Sequence, residues 1–214
     1  MVTGWAEMEI DLKAINWKGD PITLTSVKAL KNLRTGKVRV LPEEVTRAEI
    51  RGLAVKHCLL PRDIGLLLIL KAKPGNFKEG DVLFKYHLQK MAFYLWKGLE
   101  KNGLLDAIPR DEFIAARNGP KLAHLDEDLA RLVEQGLIRI KEEKWGDIKS
   151  KRIIVTSDGE ELANTLWDEI PTPYEEIATK VKERIYPMTP SQVRTAVHTE
   201  YPEYQSTYVE NDIE

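Results

Sequence analysis

The stretch from Leu122 to Glu169 limits the fold more than any other. Leu122, Leu125, Leu129, Leu132 and Val133 recur at helical spacing, and Gln135-Gly136 ends that helix. Leu137-Ile138-Arg139-Ile140 follows at once as a strand, and Arg152 to Thr156 supplies its β-branched partner. Between them lies a polar tip, Lys141 to Lys151, and after them Ser157-Asp158 opens another helix. A chain containing this run is neither all-helical nor all-β. It must place a two-stranded ribbon between two helices.

The rest of the chain reads as further short elements. Met8 to Ala14 alternates as a strand, Gly19-Asp20-Pro21 is a turn, and Thr25 to Leu33 reads as a short helix in an otherwise irregular first 42 residues. Lys37 to Leu41 alternates again. Leu41-Pro42-Glu43-Glu44 opens a helix to His57, and Leu60-Pro61-Arg62-Asp63 opens the next, apolar on every side from Ile64 to Leu70. A helix over Asp81 to Lys101 carries Phe84, Leu88, Met91, Leu95 and Leu99 on one face. Asp111 to Ala116 is a short helix or extended connector. Two more helices run from Thr172 to Tyr186 and from Thr189 to Thr199, and an acidic tail begins at Tyr201. With 43% hydrophobic residues in 214, the chain can bury a real core. The apolar run at Ile64–Leu70 is far below the roughly 20 residues that span a bilayer. No targeting segment is visible, and the one cysteine excludes a disulfide framework. A cytoplasmic protein is expected, and the Lys- and Glu-rich composition suits a thermophile.

The expected fold class is α+β and mostly helical: a winged helix-turn-helix core, an N-terminal β/α extension and C-terminal helices. The expected divisions are residues 1–60, 61–170 and 171–214. In a winged helix, one helix enters the major groove and a basic ribbon tip meets phosphate. Three segments also carry a family resemblance. Tyr86 to Trp96 (YHLQKMAFYLW) resembles the opening helix of the Panacea/YwgA-like winged-helix proteins, and Phe113 to Ile140, with Gly119-Pro120 inside it, resembles their next block. Arg152 to Ala163 (RIIVTSDGEELA) resembles their strand-to-helix segment. Asn118 stands where the family has Tyr, and Lys121-Leu122 where it has an aromatic-Ser pair, so the helix cap is lost. The resemblance covers about residues 82–168 and implies a winged helix, with antitoxin or phage-linked regulation among the roles.

Candidate DNA contacts are cations placed to neutralise phosphate: Lys144, Lys149, Lys151 and Arg152 on the ribbon, Arg117 and Lys121 near the Gly-Pro break, and Lys28, Lys31 and Arg34 in the N-terminal segment. From Pro21 to Pro42 there is no acid, and Lys28, Lys31 and Arg34 share a face if that segment is helical. The same segment could instead dock the acidic tail. The helix from Leu122 to Gln135 points the other way, because Asp126, Glu127, Asp128 and Glu134 are read as outward and would repel DNA.

Enzyme signals are poor: no G-x-G-x-x-G, no phosphate loop, and four scattered histidines. His57-Cys58 diverges in a helix, and Cys58 reads as a small buried hydrophobe. His87 and Lys90 could face one cleft. No metal or cofactor is expected, and Phe93, Tyr94 and Trp96 read as core or dimer contact. The expectation is a non-enzymatic, DNA-binding transcriptional regulator with double-stranded DNA as partner, in which a homodimer is possible. The alternative is a protein-interaction module, for instance a toxin-neutralising one, using the acidic helix and tail.

Overall fold

The computed structural model describes residues 4–15, 21–72, 83–104, 113–145, 148–170 and 172–205. It is mixed α+β, with small antiparallel sheets set around a helical centre.

The N-terminal part is a sheet. Strands β1 (Trp5–Ile15), β2 (Pro21–Asn32) and β3 (Val38–Val40) pair antiparallel in that order. The short helix expected over Thr25–Leu33 is therefore a strand. The register runs Ile10↔Val27 and then Leu12↔Leu24, so Thr25 and Ser26 face Asp11 alone in a bulge. The Asp11 carboxylate accepts the Ser26 N–H at 3.3 Å, and Ser26 takes φ 52°. With that extra residue absorbed, Val27 and Ala29 are buried on the same face.

Helix α1 (Pro42–Lys56) packs its Ala48 against Leu24 and Val27 of the sheet. It ends in a left-handed residue, Cys58 at φ 55°. There the Leu59 N–H bonds to the Ala54 carbonyl at 2.8 Å and the Cys58 N–H to Val55 at 3.2 Å, which closes the helix. Cys58 is thus an exposed turn residue and not a buried hydrophobe.

Helix α2 (Pro61–Lys71) is buried continuously from Asp63 to Leu70, as its all-round apolar character requires. Among the described residues strand β4 (Leu83–Phe84) follows and leads directly into α3 (Lys85–Lys101), so Phe84 lies outside the helix expected over Asp81–Lys101, whose first two residues lie outside the described ones. Strands β5 (Phe113–Ile114) and β6 (Lys121–Leu122) form a small ladder, then α4 (Leu125–Glu134) follows. Lys121-Leu122 is strand, not the start of that helix. Strands β7 (Ile138–Trp145) and β8 (Ile148–Val155) make the expected hairpin, and α5 (Ser157–Glu169) follows. Its cap is Thr156, whose hydroxyl accepts the Gly159 N–H at 3.0 Å.

Strand order in the second sheet is β4–β8–β7, so β4 is the third strand of the hairpin. Helices α6 (Thr172–Ile185) and α7 (Pro190–Glu200) cover α3 from the other side. The start of the tail also packs there: the Tyr201 and Tyr204 rings meet Phe93 edge-on at 5.0 and 4.8 Å. Phe93 and Trp96 are core. The described part of the tail, up to Gln205, therefore contacts α3 and not the basic N-terminal segment; the rest lies outside the described residues. Among the described residues, no helix is long and apolar enough to cross a membrane.

Candidate functional site

The hairpin and α4 form the surface on which most of the candidate cations fall. Side chains alternate along a strand, so neighbours point to opposite faces. The register Lys141↔Arg152 and Glu142↔Lys151 therefore divides the ribbon. Lys141, Glu143 and Arg152 share one face, where Arg152 pairs with Glu143 at 3.3 Å and Lys141 lies 3.8 Å from it. Arg152 is thus tied to a carboxylate rather than free for phosphate. Lys151 lies on the other face, with Ile138 and Ile153, whose side chains are buried. It reaches Asp126 of α4 at 3.7 Å. Lys144 and Lys149 pair in register at the outer end of the hairpin, and their side chains lie outside the described residues.

Asp126 is the centre of a cation cluster. Lys85 contacts both of its oxygens, at 2.7 and 2.6 Å. Burial works to raise the Asp126 pKa, but Lys85, Lys151 and Lys121 outweigh it and hold the carboxyl below its usual range. Three lysines from β6, β8 and the start of α3 thus converge at the N-terminal end of α4. Lys121 and Lys151 are predicted members of this group. Lys85 is not visible from sequence, because it arrives only through the pairing of Phe84 with Arg152.

The acids of α4 are not all outward. Asp128 is fully buried, with Arg62 at 2.6 Å and Arg131 at 2.6 Å on the same oxygen. Arg131 also bridges to Asp63, which is fully buried in the first turn of α2 and accepts the Leu60 N–H at 2.8 Å. This network clamps α4 to α2. Asp126 is engaged by lysines, and Glu127 sits 3.0 Å from His124 Nδ1. The repulsive face is therefore weaker than the sequence suggests.

The other candidates lie elsewhere. Lys28 and Lys31 are on strand β2 and three residues apart, so they point to opposite faces, and Arg34 is in the following turn. Lys28 stands opposite Glu9 and Lys31 opposite Ala6. The helical face expected for them does not exist. Arg117, in the turn before Gly119, faces α7. His87 and Lys90 do not share a cleft: both are buried, His87 Nε2 at 2.8 Å from the Met188 carbonyl and Lys90 Nζ donating to that of Pro120 at 2.7 Å. Among the described residues, no three His, Cys, Asp or Glu side chains are grouped to hold a metal.

Comparison with family models, with curated proteins and with solved structures finds no match to this chain.

Proposed function

We propose that residues 61–170 act as a winged-helix module that binds double-stranded DNA through phosphate contacts, in a cytoplasmic transcriptional regulator. The observation that carries this is the wiring. Helix α2, strand β4, helix α3, the small β5–β6 ladder, helix α4 and the β7–β8 hairpin follow in order, and β4 pairs with the hairpin's second strand to give β4–β8–β7. A winged helix-turn-helix is wired with the same succession of helix, strand, two helices and hairpin, which supports the reading; the β5–β6 ladder between the two helices is an addition to that plan. The resemblance to the Panacea/YwgA-like proteins over residues 82–168 points the same way. Lys85, Lys121 and Lys151 stand where α4 meets the hairpin, and phosphates would compete there with Asp126 for the three ammonium groups.

Fluorescence anisotropy with random duplex DNA at two salt concentrations tests the reading. The parent should bind more tightly at low salt. Replacing Lys121 and Lys151 by Ala should weaken binding to all sequences alike and flatten the log–log salt slope by about one unit per lost contact. No binding by the parent at low salt, or an unchanged slope in the variant, would remove DNA.

The second reading, a protein-binding module of antitoxin type, draws on a different observation. Val133 is 41% exposed on α4 beside the exposed Glu134. Under it, Glu134→Ala and Val133→Ala would damage partner binding, while the lysine changes would be silent.

A further inference from the structure

The C-terminal half of α7 carries a polar cleft that has no part in the hairpin surface. Arg194, Thr195, His198 and Thr199 lie on one side of the helix, Arg117 approaches from the opposing turn, and Gln205 closes the rim. The cleft is open to solvent on one side and holds about 440 Å³.

Its walls are built closely. Gly119 takes φ 86°, and a Cβ there would come within 2.9 Å of Val197 Cγ1 and 3.7 Å of the His198 ring. Only glycine lets the Arg117 turn lie this near α7. A parallel bridge between Ala116 and Gln205 fixes the other side of the turn. Behind it, Lys90 is buried and donates to the Pro120 carbonyl, which places a positive charge under the same turn.

The lining is polar, and its only charged groups among the described residues are cationic. Two guanidinium groups, two hydroxyls, an amide and an imidazole all offer N–H or O–H donors. Among the described residues, no carboxylate lines the cleft and no ion pair of Arg117 or Arg194 is found. His198 Nε2 is buried with no hydrogen-bond partner among the described residues. Burial, then the positive charges of Arg194 and Lys90, hold the His198 ring below its ordinary pKa, so the field around it is positive. A buried polar atom and two guanidinium groups, all without a partner among the described residues, suit a ligand that carries negative charge and can hydrogen-bond.

We propose that this cleft binds a small oxyanion of the phosphate class, held by Arg117 and Arg194 and bonded by the hydroxyls of Thr195 and Thr199. Its polar, cationic lining suits a compact anion. An apolar ligand would find no wall to cover it. The turn that carries Arg117 continues through β6 into α4, so an anion seated here has a short covalent path to the surface proposed for DNA.

Thermal melting with inorganic phosphate, against sodium chloride of equal ionic strength, tests the site. Phosphate should raise the parent's melting temperature in a saturable way, since a ligand of the folded state stabilises it by mass action. Arg117→Ala and Arg194→Ala remove exposed side chains and should fold, and each should raise the phosphate dissociation constant at least tenfold. No shift beyond chloride, or variants that bind phosphate like the parent, would overturn the proposal. The same two variants are titrated with duplex DNA. If phosphate has no effect while they weaken DNA binding, the cleft is part of a nucleic-acid surface and the small-anion site is wrong.

Discussion

Asp128 carries its charge without exposure to solvent and is held there by Arg62 and Arg131. Such a group is stable only while its partners remain, because the attraction must offset the loss of hydration. The arginines are themselves held: Arg131 also reaches Asp63, so each carboxylate shares a guanidinium with the other. Replacing Asp128 by Ala would leave Arg62 without that carboxylate and strand part of the Arg131 fork. Urea denaturation should show a loss of about 3–5 kcal/mol. Glu127→Ala, at a solvent-facing position one residue away, should stay within about 0.5 kcal/mol of the parent. Equal effects from the two changes would mean that the buried network contributes nothing particular.

At the scale of elements, the junction between hairpin and helix α5 turns on one glycine. A Cβ at Gly159 would lie 1.9 Å from the Leu137 carbonyl oxygen, a backbone atom that cannot swing aside. That carbonyl already accepts the Thr156 N–H at 3.1 Å and its hydroxyl at 3.0 Å. Gly159→Ala should therefore cost at least about 2–3 kcal/mol, with α5 pushed off the hairpin. If the variant melts with the parent, the contact is looser than the geometry indicates. Much of this layer was legible beforehand. The hairpin, the buried helix α2 and the C-terminal helices follow from period and punctuation, since their apolar residues recur as the element requires. The N-terminal segment was not, because the bulge at Thr25-Ser26 breaks the alternation and leaves lysines three apart, as on a helix. The burial of Asp128, against the outward position expected of it, has a signal in the sequence. Leu125, Asp128, Leu129 and Leu132 stand at i, i+3, i+4 and i+7, so the acid lies on the apolar stripe. Its partner Arg62 and the approach of Arg117 to α7 depend on contacts distant in sequence, which no local pattern encodes.

Over the whole molecule, apolar burial is divided unevenly. The principal core joins α2, α3 and the helices that cover them, from Ile50 through Val197. The N-terminal sheet has its own small cluster, Leu24, Val27 and Ala48, backed by half-buried Ile10, Leu12, Val40 and Val45. Helix α1 touches both, with Ala48 in one and Ile50 and Ala54 in the other. The sheet and its β2–β3 turn also leave Trp5, Val38 and the turn residue Leu33 about half exposed or more. Local opening costs least where few apolar contacts are lost. The three strands should therefore open without the helices. Native-state hydrogen exchange should show the paired amides of β1 and β2 exchanging well before those of α2 and α3, even though the strands are long and paired on both sides of the bulge. Protection of β1 and β2 equal to that of α3 would mean that sheet and helices unfold as one cooperative unit, with α1 coupling them more tightly than its small buried contacts imply.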